Sequence, residues 1–329
     1  MVHPKKIRWG IIGCGDVCEV KSGPAFSKVE NSELVAVMRR DAERAKDFAE
    51  RHNVPKFYTD AGALINDSAI NAVYIATPPA FHEEYAAMAL RAGKPVYVEK
   101  PVTLDAPSCQ RLIDLAENTG VPATVAHYRR ELPLFVRIRE ILSNNLLGKI
   151  YSINLNLFQS AEKNVIAKSE KNWRLDPQIS GGGLFHDLAP HQLDIIVWLF
   201  GRPETFEGIS KNTGSKYNAP DFTKLNAVFQ DNVEFHGTWN FNVRDDQVED
   251  RCEIAGETGR LIFSFFRSPL LTRYTGAEKQ EINFEIPVHI QQPMISRVVK
   301  FLLGDNKNPC SLAEALISME MMDATRRTQ

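Results

Sequence analysis

The chain has 329 residues, more than one ordinary hydrophobic core accommodates, so we expect two domains. Hydrophobic residues make up 43% of it and charged residues 24%, as in folded, water-soluble proteins. The formal net charge of -2 gives no electrostatic reason to expect a nucleic acid or an anionic membrane as a partner.

The five cysteines are scattered along the chain and odd in number. Only Cys14 and Cys18 lie close together, and no nearby histidine or cysteine cluster completes a zinc pattern, so we expect no metal site. Reduced, buried thiols are typical of a cytosolic protein. The N-terminal segment lacks a secretory signal, and no run approaches about eighteen apolar residues. We therefore expect a cytoplasmic protein.

The first third of the chain alternates short apolar runs with helical patterns, which is typical of a parallel sheet flanked by helices. The predicted strands are 7–12, 34–38, 72–76, 96–98 and 123–126, and the predicted helices are 41–53, 82–92 and 108–119. This α/β pattern predicts a doubly wound Rossmann sheet over residues 1–126, whose ligands bind beyond the carboxyl ends of the strands.

A helical pattern at 134–145 follows, and the character of the chain then changes. Residues 151–158 alternate apolar Tyr151, Ile153, Leu155 and Leu157 with polar residues, as in a strand with one buried face. Further strands are predicted at 225–230, 233–241, 250–255, 260–266 and 281–286, and a last helix at 312–326. We expect residues 127–329 to form an α+β substrate-binding domain with a large, mostly antiparallel open sheet, whose open face is either solvated or a subunit contact. The last helix is free to pack back near the first domain.

The segment WGIIGCGDVC places Gly13 and Gly15 directly after the first predicted strand. Gly13 permits a tight turn, and Gly15 lets the backbone approach a pyrophosphate at a helix N-terminus. The full fingerprint has Gly or Ala at the position of Cys18, and cysteine is small enough to keep the helix close. This placement predicts a dinucleotide site.

The end of the second predicted strand, VAVMRRD, indicates which dinucleotide binds. NAD sites carry an acidic residue there, whereas this chain has Arg39 and Arg40, whose planar donors suit a 2′-phosphate. Two alternatives remain open. In the first, the arginines are solvated surface residues. In the second, the strand ends later and Asp41 is the acidic residue that binds the ribose. We predict NADP as the preferred cofactor, with NAD possible.

The segment VYVEKPV ends a buried strand with Lys100, which Pro101 biases toward an extended backbone. A lysine at this position is suited to bind the cofactor ribose and a substrate hydroxyl. The alternative is a surface Glu–Lys pair in a loop.

The segment ISGGGLFHDLAPHQLD places three glycines before a helix that carries Asp187, His191 and Asp194 on one face. Hydride transfer from an alcohol needs a base, and histidine titrates in the useful range. We predict His191 as this base, with Asp187 orienting it. Pro190 indicates that the helix is kinked or begins late. Either feature weakens the argument that the three side chains share one helix face. The alternative is a structural Asp–His pair.

Taken together, the motifs at 13–15, 75–82, 99–101 and 181–194 resemble the glucose-fructose oxidoreductase, inositol dehydrogenase and rhizopine catabolism family, Gfo/Idh/MocA. The resemblance implies a Rossmann domain, an open-sheet domain that forms homodimers or homotetramers, and a sugar, polyol or related substrate. It implies Lys100, Asp187 and His191 as catalytic residues. The implied cofactor contacts are Gly13, Gly15, Asp16, Val17, Arg39, Arg40, Thr77, Pro78, His82, Glu99 and Lys100. The implied substrate contacts are Lys100, Tyr128, Trp173, Arg174, Asp187 and His191.

Three functions follow from the resemblance. The first is a dehydrogenase or reductase acting on a CH–OH group. The second is a redox-assisted glycosidase that holds NAD tightly. The third is a non-catalytic sensor of nucleotide or sugar, which the presence of Lys100, Asp187 and His191 disfavours because a sensor needs no proton acceptor.

Overall fold

The computed structural model describes residues 4–160, 173–214 and 218–326, without the side chain of Val20. The chain divides into two compact units. The first comprises Met1–Arg129 and Pro287–Leu316, and the second comprises Arg130–Ile286 and Ile317–Gln329. We describe each unit by itself.

The first unit is built on six parallel strands in the order β3-β2-β1-β4-β5-β6. The order is that of a doubly wound nucleotide-binding sheet, so the predicted fold class is confirmed for this part. The strands are β1 (Ile7–Ile12), β2 (Ser32–Met38), β3 (Lys56–Tyr58), β4 (Ala72–Ile75), β5 (Val96–Val98) and β6 (Ala123–Val125).

Three helices of this unit, α2, α3 and α5, begin at aspartates that cap them. The side chains of Asp41, Asp60 and Asp105 each accept a hydrogen bond from a backbone N–H in the first helical turn. Such caps satisfy N–H groups that have no partner within the helix. The helices are α1 (Gly23–Phe26), α2 (Ala42–Arg51), α3 (Ala61–Asn66), α4 (His82–Arg91) and α5 (Ala106–Thr119). The sequence analysis missed β3 and α3, which are short.

The second unit is built on eight strands in the order β14-β13-β12-β11-β7-β10-β9-β8. Only β7 and β10 pair in parallel among these neighbours, which confirms the mostly antiparallel sheet. The strands are β7 (Ile150–Ser160), β8 (Thr205–Lys211), β9 (Phe222–Phe229), β10 (Val233–Val243), β11 (Glu249–Gly256), β12 (Gly259–Phe263), β13 (Leu270–Thr275) and β14 (Glu278–Asn283).

The alternation along β7 has the predicted period of two. Ile153, Leu155 and Leu157 are buried, and Asn154 between them is exposed. Tyr151 was predicted on the buried face, and this is wrong because its side chain is 49% exposed at the start of the strand. The strand predicted for 260–266 ends at Phe263, because the residues that follow form a loop.

The remaining helices are α6 (Pro133–Ser143), α7 (Pro177–Ser180), α8 (Gly183–Phe200), α9 (Gln292–Leu302) and α10 (Leu312–Ala324). Helix α8 begins at Gly183 and continues through Pro190 to Phe200, so the late start considered for it is wrong. Helix α9 belongs to the first unit and was not predicted. None of the helices in the described ranges is long and apolar enough to cross a membrane.

Candidate functional site

The two glycines after β1 occupy different environments. Gly13 has a φ of +91°, and a Cβ added there would lie 2.7 Å from the backbone nitrogen of Thr77. Its own N–H donates to Met38 O at 2.9 Å. A Cβ at Gly15 would meet no atom closer than Gly13 O at 4.0 Å. Gly13 is therefore required by the turn itself, whereas the space beside Gly15 is open and the turn alone does not require a glycine there.

Asp16 and Val17 follow Gly15 and begin a helical segment that continues as a π-helical turn at Cys18–Ser22. The first N–H groups of a helical segment lack partners within it and suit an anionic ligand. Cys18 is fully buried, with Sγ 3.8 Å from Gly13 O. Its side chain is thus small enough for the close packing that the fingerprint needs.

The two arginines after β2 differ in their contacts. Strand β2 ends at Met38, and a guanidinium nitrogen of Arg39 lies 3.4 Å from Cys14 O. The guanidinium of Arg40 lies 5.3 Å from the ring centre of Phe81. Within the described ranges neither arginine forms an ion pair, whereas Asp41 caps α2 and pairs with Arg44 at 3.5 Å. The carboxylate of Asp41 is thus already engaged with the first turn of α2.

The loop after β4 contains Thr77 and Pro78, both half-buried, and ends at His82. The ring nitrogens of His82 lie 2.7 Å from Thr77 O and 2.9 Å from Pro101 O. Burial lowers the pKa of His82. The ring of His82 is therefore fully buried between the two loops that it joins, and its expected cofactor contact remains a prediction.

Glu99 fixes the backbone of its neighbour Lys100. Glu99 is buried, and its carboxylate accepts hydrogen bonds from Tyr74 Oη at 2.6 Å, Gln291 Nε2 at 2.8 Å and the backbone N–H of Lys100 at 3.1 Å. The side chain of Lys100 is half-buried. The sequence analysis did not find Gln291, which lies 192 positions from Glu99 and carries no local signal.

Tyr128 lies in a 3-10 helical turn that follows β6. Its side chain is buried, and the guanidinium of Arg129 lies 5.5 Å from its ring centre. The expected substrate contact of Tyr128 remains a prediction.

In the second unit, α8 brings Asp187 to Arg174. The Nε atom of Arg174 lies 3.3 Å from Asp187 Oδ2, and both side chains are almost fully buried. The same guanidinium lies 4.6 Å from the ring centre of Trp173. Three of the predicted residues are therefore neighbours.

His191 and Asp194 follow Asp187 on α8 and have partners that the sequence analysis missed. The ring of His191 is buried and meets the ring of Phe266 nearly perpendicularly, with centres 5.9 Å apart. Asp194 forms a fully buried ion pair with Arg130, with N···O distances of 2.7 Å and 3.0 Å. The face of α8 is thus stabilised by contacts with separate segments.

The start of α8 is braced by His186 and the C-terminal part of the chain. A Cβ at Gly182 would lie 2.2 Å from Nδ1 of His186, so only glycine leaves room for this ring. Arg326 donates from Nε to His186 Nε2 at 3.2 Å and from Nη2 to Gly181 O at 2.6 Å. Burial and the charge of Arg326 lower the pKa of His186 to about 3. His186 is therefore neutral and accepts the arginine's hydrogen bond.

A cavity of about 190 Å³ lies in the second unit. It is bounded by the end of β7, the start of β11 and the segment Phe266–Arg267. Phe266 contributes to its wall and also touches His191. This wall thus combines apolar rings with polar groups, as small-molecule sites do.

The predicted residues fall into two groups. The first unit carries the glycine turn, the arginine pair and Lys100, and the second carries Trp173, Arg174, Asp187 and His191. The first group suits an anionic nucleotide and the second suits proton transfer.

Comparison with protein families gives matches over most of the chain. Residues 7–127 match the model of the oxidoreductase family with an NAD-binding Rossmann fold. Residues 135–262 match the model of the GFO/IDH/MocA C-terminal domain.

Individual proteins match over nearly the full length. Oxidoreductase P35 of Formosa agariphila is 46% identical over 97% of this chain and 98% of its own. A 3-ketoreductase of Actinomadura kijaniata, solved with NADP, has a TM-score of 0.84 at 21% identity, covering 98% of this chain and 97% of its own. A levoglucosan dehydrogenase solved with NADH and levoglucosan has a TM-score of 0.85 at 18% identity, covering 98% of each chain.

Proposed function

Because this chain belongs to the Gfo/Idh/MocA family of oxidoreductases, we propose that it transfers a hydride between NADP and a sugar, polyol or related hydroxyl or carbonyl compound. The observation that carries this proposal is the pair Asp187 and His191, one turn apart on α8, with Asp187 held by buried Arg174. Histidine can accept or donate a hydroxyl proton near neutral pH. This proton transfer is the step that the protein's own side chains supply.

The nicotinamide dinucleotide fits the first unit of this structure. The space above Gly15, which a Cβ would partly fill, receives the pyrophosphate. Arg39 and Arg40 supply donors for a 2′-phosphate without breaking an ion pair, and this supports NADP over NAD. The fold itself serves both cofactors, since the solved 3-ketoreductase holds NADP and the levoglucosan dehydrogenase holds NADH.

The residues of the chain divide the work as follows. When bound, the nicotinamide supplies a hydride acceptor or donor. Glu99 holds the backbone at Lys100, whose ammonium binds the substrate oxygen and the cofactor ribose. His191 takes the hydroxyl proton as the carbon–hydrogen bond yields its hydride, so a carbonyl and a protonated imidazole result. The carboxylate of Asp187 stabilises that imidazolium by its charge.

The test of this proposal combines binding with turnover. The protein is stripped of nucleotide and titrated calorimetrically with NADPH and NADH, and sugars and polyols are then screened by nicotinamide absorbance. We expect tighter binding of NADPH and turnover of a carbohydrate-like compound. Tightly retained NAD that does not exchange would instead support the redox-assisted glycosidase, and sugar binding without turnover would support the sensor.

The roles of His191 and Lys100 are tested by His191→Asn and Lys100→Ala. Each should lower kcat about a hundredfold or more while NADPH affinity stays near that of the wild type. The control is Asn144→Ala, because Asn144 is an exposed residue at the end of α6, outside the proposed site and the open sheet face. Turnover that is unchanged in both variants would overturn the assigned roles.

We also propose that the chain forms a homodimer or homotetramer through the open face of the eight-stranded sheet. The face opposite the core carries polar side chains such as Asn154, His236 and Glu253, paired across neighbouring strands.

A further inference from the structure

A loop after β12, residues 264–268, is closed by its own ends. Ser264 Oγ donates to Ser268 O at 2.9 Å and accepts from the backbone N–H of Ser268 at 2.9 Å. Inside the loop, Phe265 is buried against Phe135 and Phe263, with ring centres 5.2 Å and 5.5 Å away. The loop is therefore fixed to the core of the second unit.

Asp250 on β11 holds this loop through three successive backbone N–H groups. Its Oδ1 accepts from Phe265 N at 3.1 Å, and its Oδ2 accepts from Phe266 N at 2.6 Å and Arg267 N at 3.0 Å. Convergent backbone N–H groups of this kind form an anion-binding concavity, and here the anion is a side chain of the same chain. Bonds to a carboxylate are stronger than bonds between neutral groups.

The loop presents one side chain to the site described above. The ring of Phe266 meets the ring of His191 edge to face at 5.9 Å, and the same ring lines the cavity of about 190 Å³. Asp250 and Arg267 line that cavity as well. A displacement of the loop would thus change both the surroundings of His191 and the wall of the cavity.

We propose that Asp250 is a positioning residue for the acid–base histidine. By fixing the amides of Phe265 to Arg267, it sets the ring of Phe266, which orients His191 and forms the wall against which a sugar-like substrate lies. This inference rests on the proposed role of His191. No local sequence motif marks Asp250, because the loop it holds lies fifteen to seventeen positions later.

The first variant is Asp250→Asn, which keeps the side chain's shape but replaces one acceptor oxygen with a donor that faces N–H groups. We expect amide hydrogen exchange at Phe265 to Arg267 to accelerate about tenfold or more. The ring proton resonances of His191 should shift, and kcat should fall about tenfold while KM for NADPH stays constant.

The matched control is Asp221→Asn. Asp221 is a buried carboxylate of the same unit that also holds a loop, accepting from the backbone N–H groups of Thr213 at 2.7 Å and Gly214 at 2.6 Å. Its substitution should loosen its own loop and leave the His191 resonances and kcat unchanged. Equal losses of kcat in both variants would show a general effect of destabilisation and overturn the proposal.

A second pair of variants keeps the test valid if Asp250→Asn does not fold. Phe266→Leu removes the ring and should shift the His191 resonances and lower kcat, whereas Phe266→Tyr keeps the ring and should restore both. Unchanged His191 resonances in Phe266→Leu would overturn the proposal. A shift of those resonances in a protein whose turnover does not respond to His191→Asn would support the positioning and refute the proposed function.

Discussion

Gly13 and Gly15 stand two positions apart in one turn, yet they are needed for different reasons. At Gly13 the backbone has a positive φ, and the space where a Cβ would go is filled by Thr77. At Gly15 the corresponding space is open. Gly13 therefore serves the folded chain, and we propose that Gly15 serves the ligand.

Two alanine substitutions separate these roles. Gly13→Ala should lower the free energy of unfolding by about 1–3 kcal/mol, because it adds both strain and a clash. Gly15→Ala should leave the free energy of unfolding nearly unchanged and weaken NADPH binding, because its methyl group occupies the space proposed for the pyrophosphate. Urea denaturation and calorimetric titration measure the two effects. Equal NADPH affinity in Gly15→Ala and the wild type would contradict the placement of the pyrophosphate.

Arg40 is exposed, and its guanidinium lies over the ring of Phe81. Arg40→Ala should weaken NADPH binding about tenfold to a hundredfold and NADH binding little, because only NADPH carries the 2′-phosphate that the charged donors bind. Arg44→Ala is the control, since Arg44 is an exposed arginine nearby that is already paired with Asp41. Equal losses for both nucleotides would make Arg40 a bystander.

At the scale of elements, the start of α8 is stabilised by the hydrogen bond between His186 in its first turn and Arg326. His186 is held neutral in the folded state, with a pKa of about 3, whereas its ordinary value is 6.5. Between these values the unfolded chain binds a proton that the folded chain does not. The folded state is therefore destabilised as the pH falls from about 6.5 towards 3, and this cost is absent above about pH 6.5.

The variant His186→Asn removes this proton binding. As the pH falls from 6.5 to 5, its free energy of unfolding should decrease less steeply than that of the wild type. The two slopes should differ by at most about 1.4 kcal/mol per pH unit. Urea denaturation across that range measures the slopes. Parallel slopes for His186→Asn and the wild type would refute a neutral, buried His186.

Three of the elements missed from the sequence, β3, α3 and β8, lack a clear local pattern. Strand β3 has three residues and α3 has six, too few to show a period. Strand β8, TFEGISK, lies at the edge of its sheet without a fully buried residue, so its apolar pattern is weak. The long segments α5 and β7, by contrast, were found close to their observed bounds, since each buries one regular face.

At the scale of the whole molecule, the chain has a mass of 37.1 kDa, and we expect twice or four times this mass in solution. Asn154→Arg, at an exposed position on the central strand β7, should shift the mass measured by light scattering towards 37.1 kDa. Asn144→Arg, at the exposed end of α6, should not. A wild-type protein that is monomeric at all concentrations would contradict assembly through the open face.

The sequence by itself determined the fold class, the order of most elements and the presence of the glycine turn, the arginine pair and the Asp–His pair on α8. These are local features, because side-chain periodicity and turn chemistry report on residues a few positions apart. Only the tertiary structure decided what holds them. Gln291 lies 192 positions from Glu99, Arg326 lies 140 from His186, and Arg130 lies 64 from Asp194. Such partners are brought together by the packing of the core, which no local pattern encodes.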